Sequence, residues 1–478
     1  MSTLPQTSPA SASRHSTLIS LLVATAFFME ILDGTAIATA LPEMAKSFNS
    51  NPVDLSMGMT AYLLTLAVFI PVSGWVADRM GPRTVFSSAI AWFTLASILC
   101  GSTNGLWQFT AARVLQGIGG AMMVPVGRLV VLRSTEKKDL MRAMSFLVWP
   151  ALTAPILGPP VGGFITTYSS WRFIFFLNVP LGIIGFILAL RWISNDREQG
   201  DRRFDWLGFA LAGTSCTAFM YGLELLGRQE TNWTVASLAL GYSLIVGFWA
   251  ARHLQRVEHP LVELSCLKTH TFAISIWGGS LFRIAINATP FLLPLMFQVA
   301  FGMNAFRSGL MVLALFAGNF SMKSITTQIL RRFGFRSILV VNGMISTGLV
   351  ALCGVLTPGT PMPAIIAVLF LHGLSRSMQF TAVNTLSFVD IPKSLMSSAT
   401  SFSAVAQQMS MGMGVAVAAV SLRVIEWARG NQSGTPQLMD FHVAFWIAAV
   451  FALIAAFDCL SLDPRAGAEV SGHAPARA

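Results

Sequence analysis

The sequence predicts an all-α polytopic membrane protein with fourteen spanning helices, arranged as two related six-helix halves and two inserted helices. Three observations predict it. Hydrophobic residues fill 54% of the 478 positions and charged ones only 11%, where soluble domains carry about 25% charged residues. Fourteen apolar runs approach the roughly 20 residues that a helix needs to cross hydrocarbon. The chain also repeats itself at a constant offset.

Composition fixes the solvent. A soluble protein this poor in charge could not cover its surface, so the bilayer must take that place. The formal charge of +10 sits in short gaps between apolar runs, which marks topology rather than a nucleic-acid patch. Cys100, Cys216, Cys266, Cys353 and Cys459 are scattered without a CxxC pair, so neither disulfides nor a metal site is expected, and nothing calls for a cofactor.

The runs lie near 17–41, 55–76, 84–105, 107–132, 143–168, 173–193, 205–226 and 233–253. Six more follow near 272–297, 308–330, 337–357, 363–388, 397–423 and 441–462. Residues 1–16 and 464–478 read as disordered polar tails. The first run is too long for a signal peptide and carries Glu30 and Asp33, so it stays as a helix. The even count puts both termini on one side. Gaps on that side hold 17 basic residues, Lys137, Lys138, Arg202, Arg203, Arg331 and Arg332 among them, against 6 in the others. Positive residues stay inside, so both termini are expected in the cytoplasm of a bacterial inner membrane.

Three matches carry the repeat. Leu115–Met122 in span four aligns with Leu371–Met378 in span twelve. Ala143, Ser145, Phe146 and Gly158 meet Ala399, Ser401, Phe402 and Gly414, and the loop Asp78–Arg83 meets Arg331–Arg336. This divides the chain into a first half at 17–193, a linker with spans seven and eight at 194–271, and a second half at 272–463. Such pseudo-symmetry serves alternating access.

The loop Gly74-Trp-Val-Ala-Asp78-Arg79-Met-Gly81-Pro-Arg83 follows span two. Gly74 permits close helix approach, Gly81 a tight turn, and Asp78 is an anion fixed at a helix end. It resembles the signature loop of the major facilitator superfamily. The resemblance implies that fold, with a cytoplasmic gate in which Asp78, oriented by Arg79 and Arg83, meets the positive end of a helix beginning near Ser397. A carboxylate there gains about 0.3–1 kcal/mol, enough to bias an equilibrium without locking it.

Leu32-Asp33-Gly-Thr35-Ala-Ile-Ala-Thr39-Ala-Leu41-Pro42 in span one resembles the signature of the fourteen-helix drug:proton antiporters, with Thr39 where an Asn is usual. An Asp at mid-helix costs about 2.5–3.5 kcal/mol on insertion, so Asp33 is a candidate proton carrier. Glu30, at i−3 on the same face, is a second candidate. Arg113, Gln116, Gly117 and Gly120 in span four form one polar and small-residue stripe, similar to another family motif. Arg113 there is expected to modulate the acid and Gln116 to face the cavity. The competing readings are a structural salt bridge for Asp33 and snorkelling for Arg113.

Gly158-Pro159-Pro160-Val-Gly162-Gly163 in span five resembles the motif that marks exporters in this superfamily. Trp171–Gly182 and Phe204–Gly208 also match the fourteen-helix antiporters, so the resemblance runs from about residue 18 to 463. It implies a proton-coupled antiporter of small molecules, acting as a monomer in the bilayer, with multidrug efflux as the first reading. A periplasmic adaptor is a further conceivable partner to which no residue points.

Other polar residues within spans remain. Glu224 is expected to pair with Arg228 one turn on, and His372 reads as a hydrogen-bonded core histidine. Arg283, Asn287, Lys323 and Arg376 belong to none of these motifs and are candidates for the substrate cavity. A charge there is costly unless it meets water, a partner or a ligand. Their excess over the acids favours, as an alternative, an exporter of an anionic or zwitterionic metabolite such as a carboxylate. An enzyme is disfavoured, since no Walker loop, HExxH or GxSxG is present. A channel or a non-transporting sensor is the remaining alternative.

Overall fold

In the computed structural model, residues 9–135, 140–194, 204–226, 232–258, 260–392, 395–430 and 435–468 are described. The first half comprises α1 (Pro9–Ala36), α2 (Leu41–Phe48), α3 (Ser56–Met80), α4 (Pro82–Ser102), α5 (Leu106–Ser134), α6 (Leu140–Tyr168), α7 (Arg172–Phe176) and α8 (Asn178–Trp192). The insert is α9 (Trp206–Leu226) with α10 (Trp233–Leu254). The second half is α11 (His270–Leu295), α12 (Ala305–Met322), α13 (Thr326–Phe333), α14 (Phe335–Cys353), α15 (Met362–Val389), α16 (Met396–Ala428) and α17 (Leu438–Asp458). Thirteen segments among the described residues are long and apolar enough to cross a membrane. Outside that set, α6 lies at the expected fifth span and is 29 residues long.

Two sequence expectations change at the ends of the chain. The 1–16 tail is not wholly disordered, because α1 already runs from Pro9. At the other end, Ala466 packs on the cluster around Phe335 and Leu339, so 464–468 is not a free tail. Residues 1–8 and 469–478 lie outside the described residues. All five cysteines are free thiols.

The packing repeats as the sequence does. In the first half α1 packs on α6, α3 on α5, α4 on α5 and α8. In the second, α11 packs on α16, α12 on α15, α14 on α15 and α17. The seams between the halves obey the same exchange, α3 against α16 and α12 against α6. Gly81 at φ +89° and Gly334 at φ +73° end α3 and α13 at matching turns, a backbone that residues with a Cβ avoid. The insert packs α9 on α10 and lays α9 across both α3 and α16.

We call the end holding both chain termini the terminal end and the opposite one the distal end. At the distal end a single apolar cluster joins the halves, with Ile37, Leu41 and Met44 beside Phe291, Phe297, Leu315 and Leu422. Toward the terminal end the clusters are separate, one around Val23, Phe86 and Val130, the other around Leu339 and Leu386. Gln298 Nε2 donates to the Thr39 carbonyl at 3.0 Å, and Arg423 Nη2 pairs with Asp54 Oδ1 at 2.9 Å, each bond crossing between halves at the distal end. The halves are therefore clamped distally.

Candidate functional site

Five helices of the first half converge on Asp33. Its carboxylate is buried on α1, with Oδ2 accepting from Arg113 Nη1 at 2.5 Å. Oδ1 accepts from Gln116 Nε2 at 3.1 Å and from Asn178 Nδ2 at 2.9 Å. Gln116 Oε1 accepts from Arg113 Nη1 at 2.5 Å, and Ser97 Oγ accepts from Gln116 Nε2 at 2.8 Å and Asn178 Nδ2 at 3.3 Å. The guanidinium lies over the Tyr62 ring, 4.1 Å from its centroid. With its side chain only 1% exposed, Arg113 does not snorkel; it is the counter-ion of Asp33. A buried pair of this kind is poor evidence of stabilisation, since its desolvation offsets most of the Coulomb attraction. Its chemical consequence is that protonating Asp33 would release Arg113.

Asn178 is the residue that sequence reasoning missed. It stands in the run Trp171-Arg-Phe-Ile-Phe-Phe-Leu-Asn178, which matched the antiporters without a role attached. An Asn at the first position of a membrane helix was the signal available, because a buried amide needs partners. Ser97 and Tyr62 carried no comparable signal.

Glu30 is separated from this network although it shares a helical face with Asp33. It is buried, its Oε2 has no partner, and the Tyr62 hydroxyl has none either. Gly120 makes room for both: a Cβ there would stand 3.2 Å from the Tyr62 oxygen and 3.6 Å from Glu30 Cδ. One acid is saturated with hydrogen bonds and its neighbour is not.

The glycines of span five are contact points. A Cβ on Gly158 would collide with Thr35 Oγ1, and one on Gly162 with the Ala36 carbonyl, both within the first half. A Cβ on Gly163 would strike the Ala305 carbonyl of α12, in the other half. From the far side, a Cβ on Gly309 of α12 would meet the Pro159 carbonyl. The motif Gly158-Pro159-Pro160-Val-Gly162-Gly163 thus lets α6 touch α1 on one face and α12 on another.

Asp78 lies about half exposed at the terminal end, with Oδ1 accepting from Arg133 Nη2 at 3.1 Å. Its partner belongs to the same half, which differs from the gate implied by resemblance, at the start of α16. Arg79 stacks on Trp75, 5.5 Å from the ring centroid.

In the second half two rungs connect α11 to α15. Arg376 Nη2 donates to Asn287 Oδ1 at 3.4 Å, and Arg283 Nη2 donates to Asn384 Oδ1 at 2.8 Å. Arg283 is fully buried rather than open to a cavity. Lys323 is exposed at the end of α12 and donates to Thr381 Oγ1 at 2.9 Å. His372 is buried, but contrary to expectation neither ring nitrogen has a hydrogen-bond partner. Glu224 accepts from Ser56 Oγ at 3.1 Å and Thr60 Oγ1 at 3.3 Å, tying α9 to α3, whereas its expected partner Arg228 lies outside the described residues. Asp205 accepts from the Gly208 N–H at 2.8 Å and meets His253 Nε2 at 2.8 Å, which gives the Phe204–Gly208 motif a structural role at the start of the insert.

Residues 23–415 match the family model of the Major Facilitator Superfamily. The chain is 38% identical over 404 residues to the "Putative multidrug resistance protein MdtD" of Pectobacterium carotovorum, covering 84% of this chain and 86% of that one. It is 40% identical over 407 residues to the protein of the same name from Serratia proteamaculans, covering 84% and 83%. Among solved structures it resembles the D-xylose-proton symporter, with a TM-score of 0.65 at 13% identity over 94% of this chain and 97% of the other.

Proposed function

The chain belongs to the Major Facilitator Superfamily and is a multi-pass membrane transporter, and from that premise we propose a proton-coupled exporter of small molecules, with multidrug efflux as its class. The observation that carries this reading is the buried Asp33–Arg113 pair, joined to Gln116 and Asn178 and close to Glu30, whose Oε2 has no hydrogen-bond partner. A proton arriving at Asp33 removes the charge that holds Arg113, so occupancy by a proton alters the packing of five helices. The relatives named for multidrug resistance point to efflux. The experiment is substrate uptake into inverted membrane vesicles under an imposed pH gradient, with ethidium and a panel of organic anions as probes. Uptake unaffected by collapse of the gradient would remove the coupling.

Orientation follows from the basic residues: both termini cytoplasmic, fourteen spans, and α9–α10 packed outside the pseudo-symmetric core. In that frame the distal clamp is periplasmic and the structure faces inward. A cysteine placed at Asn49 and another at Lys138, a residue outside the described set, should react with a membrane-impermeant maleimide from opposite faces of the cell. Reaction from the same face would refute both orientation and span count.

Asp78 serves this cycle as a cytoplasmic gate. With the distal end closed, its carboxylate rests on Arg133; in the opposite state it would engage the helix that starts at Met396. Asp78→Asn keeps the size and removes the charge, so turnover should fall about two- to fivefold, the scale of a surface helix-end interaction. Wild-type turnover at normal abundance would make the loop an ordinary turn.

A further inference from the structure

Among the described residues, the second half holds charge that no acid balances. Arg283, Lys323 and Arg376 make no ion pair among the described residues; they are held by Asn384, Thr381 and Asn287, all neutral. Acids on adjoining helices are engaged elsewhere or stand apart. Asp390 accepts from Thr271 at 2.8 Å, and Asp458 sits against Gly278 without pairing to any of the three. In the first half the buried cation Arg113 has Asp33 as its partner, with Glu30 nearby. Arg283, Lys323 and Arg376 thus stand without an acid partner among the described residues, whereas Arg113 has Asp33.

Unused donors mark where the compensating atoms belong. Arg376 Nη1 and Arg283 Nε are buried with no acceptor, and both nitrogens of His372, one turn from Arg376 on α15, are buried without a hydrogen-bond partner. Leaving a buried charged donor unpaired is among the costlier states of a polar group. The Arg376 guanidinium lies beside the Phe316 ring, 5.7 Å from its centroid, so one face is apolar while its edge lacks an acceptor. A planar carboxylate can take two parallel N–H groups from a guanidinium edge.

We propose that Arg376, with Asn287 and His372 around it and Lys323 at the terminal end of α12, forms an anion site for a carboxylate-bearing solute, while Arg283, buried one rung below, adds positive potential without touching it. This rests on the exporter reading and names its substrate class. The pseudo-two-fold explains the asymmetry. Arg376 aligns with Gly120 in the repeat, so one wall carries a guanidinium where the other has a glycine beside Glu30. The anionic end of the substrate goes to the second half, and the proton is handled by the first.

The test is ligand-induced stabilisation of the purified full-length protein, with citrate, succinate and benzoate as probes and chloride and ethidium as controls. At least one carboxylate should raise the melting temperature of the wild type by several degrees. Arg376→Gln should abolish that shift and Arg376→Lys should retain part of it. Lys323 is exposed, so Lys323→Gln will fold and should weaken the carboxylate's apparent affinity about tenfold, the loss of one charge-assisted contact. No shift with any carboxylate, or wild-type shifts in both Gln variants, would overturn the site. The exporter reading fails separately, if the wild type shows no gradient-driven transport of any probe.

Discussion

Asp33→Asn should abolish pH-gradient-driven transport. The amide keeps the shape and can still meet Gln116 and Asn178, but it leaves the buried Arg113 guanidinium uncompensated. Removing one partner of a buried pair costs about 3–5 kcal/mol. In a two-state cycle that is more than about a hundredfold in the population of the state that needs the pair. Lower protein abundance is expected for the same reason. The double variant Asp33→Asn with Arg113→Gln removes both charges, so it should recover abundance while transport stays uncoupled. Efflux by Asp33→Asn that still accelerates with an imposed gradient would transfer the proton to Glu30, whose free Oε2 makes it the next acid to replace.

Gly163→Val and Gly162→Val should fail in different ways although the positions are adjacent. A side chain at Gly163 strikes Ala305 and Phe306 of α12, so it wedges the seam between the halves. Overpacking costs about 1–3 kcal/mol, and acting on one conformation alone it shifts the equilibrium roughly 5–150-fold. The variant should be abundant, shifted away from the distally closed state, and slow in transport. At Gly162 the collision is with the Ala36 carbonyl and Thr39, both in the same half, away from the seam between the halves. There the expected result is a fall in melting temperature and in yield. Distance measurements between spin labels at Asn49 and Arg307 would read the first effect. Unchanged distances in Gly163→Val would show that the α6–α12 contact does not report on the cycle.

Much of the fold was legible because helix length, apolar composition and repeat are local properties of the chain. The runs at 84–105 and 205–226 correspond within a residue or few to α4 and α9, since a membrane helix must satisfy its own backbone and announces itself by hydrophobicity alone. The first run was less readable. Its end breaks into a 3-10 turn over Ile37–Thr39 and a short α2, a bend that apolar composition does not encode. Residues 9–16 are polar and read as tail, yet helix α1 already includes them.

Within the site, sequence determined the residue types and their faces. Asp33 on a membrane helix, Arg113 and Gln116 at i and i+3, and the glycines of span five were visible because each is expensive or unusual in an apolar run. Only the tertiary structure decided their partners. It joined Asp33 to Arg113 and to the overlooked Asn178. It left Glu30 outside that network, paired Asp78 within its own half, and set Arg376 and Arg283 against neutral oxygens alone. The physical reason is range. Helix formation and membrane insertion depend on residues within a few turns, whereas the state of a buried charge depends on atoms that arrive from other helices, 80 residues away in the case of Arg113 and Asp33.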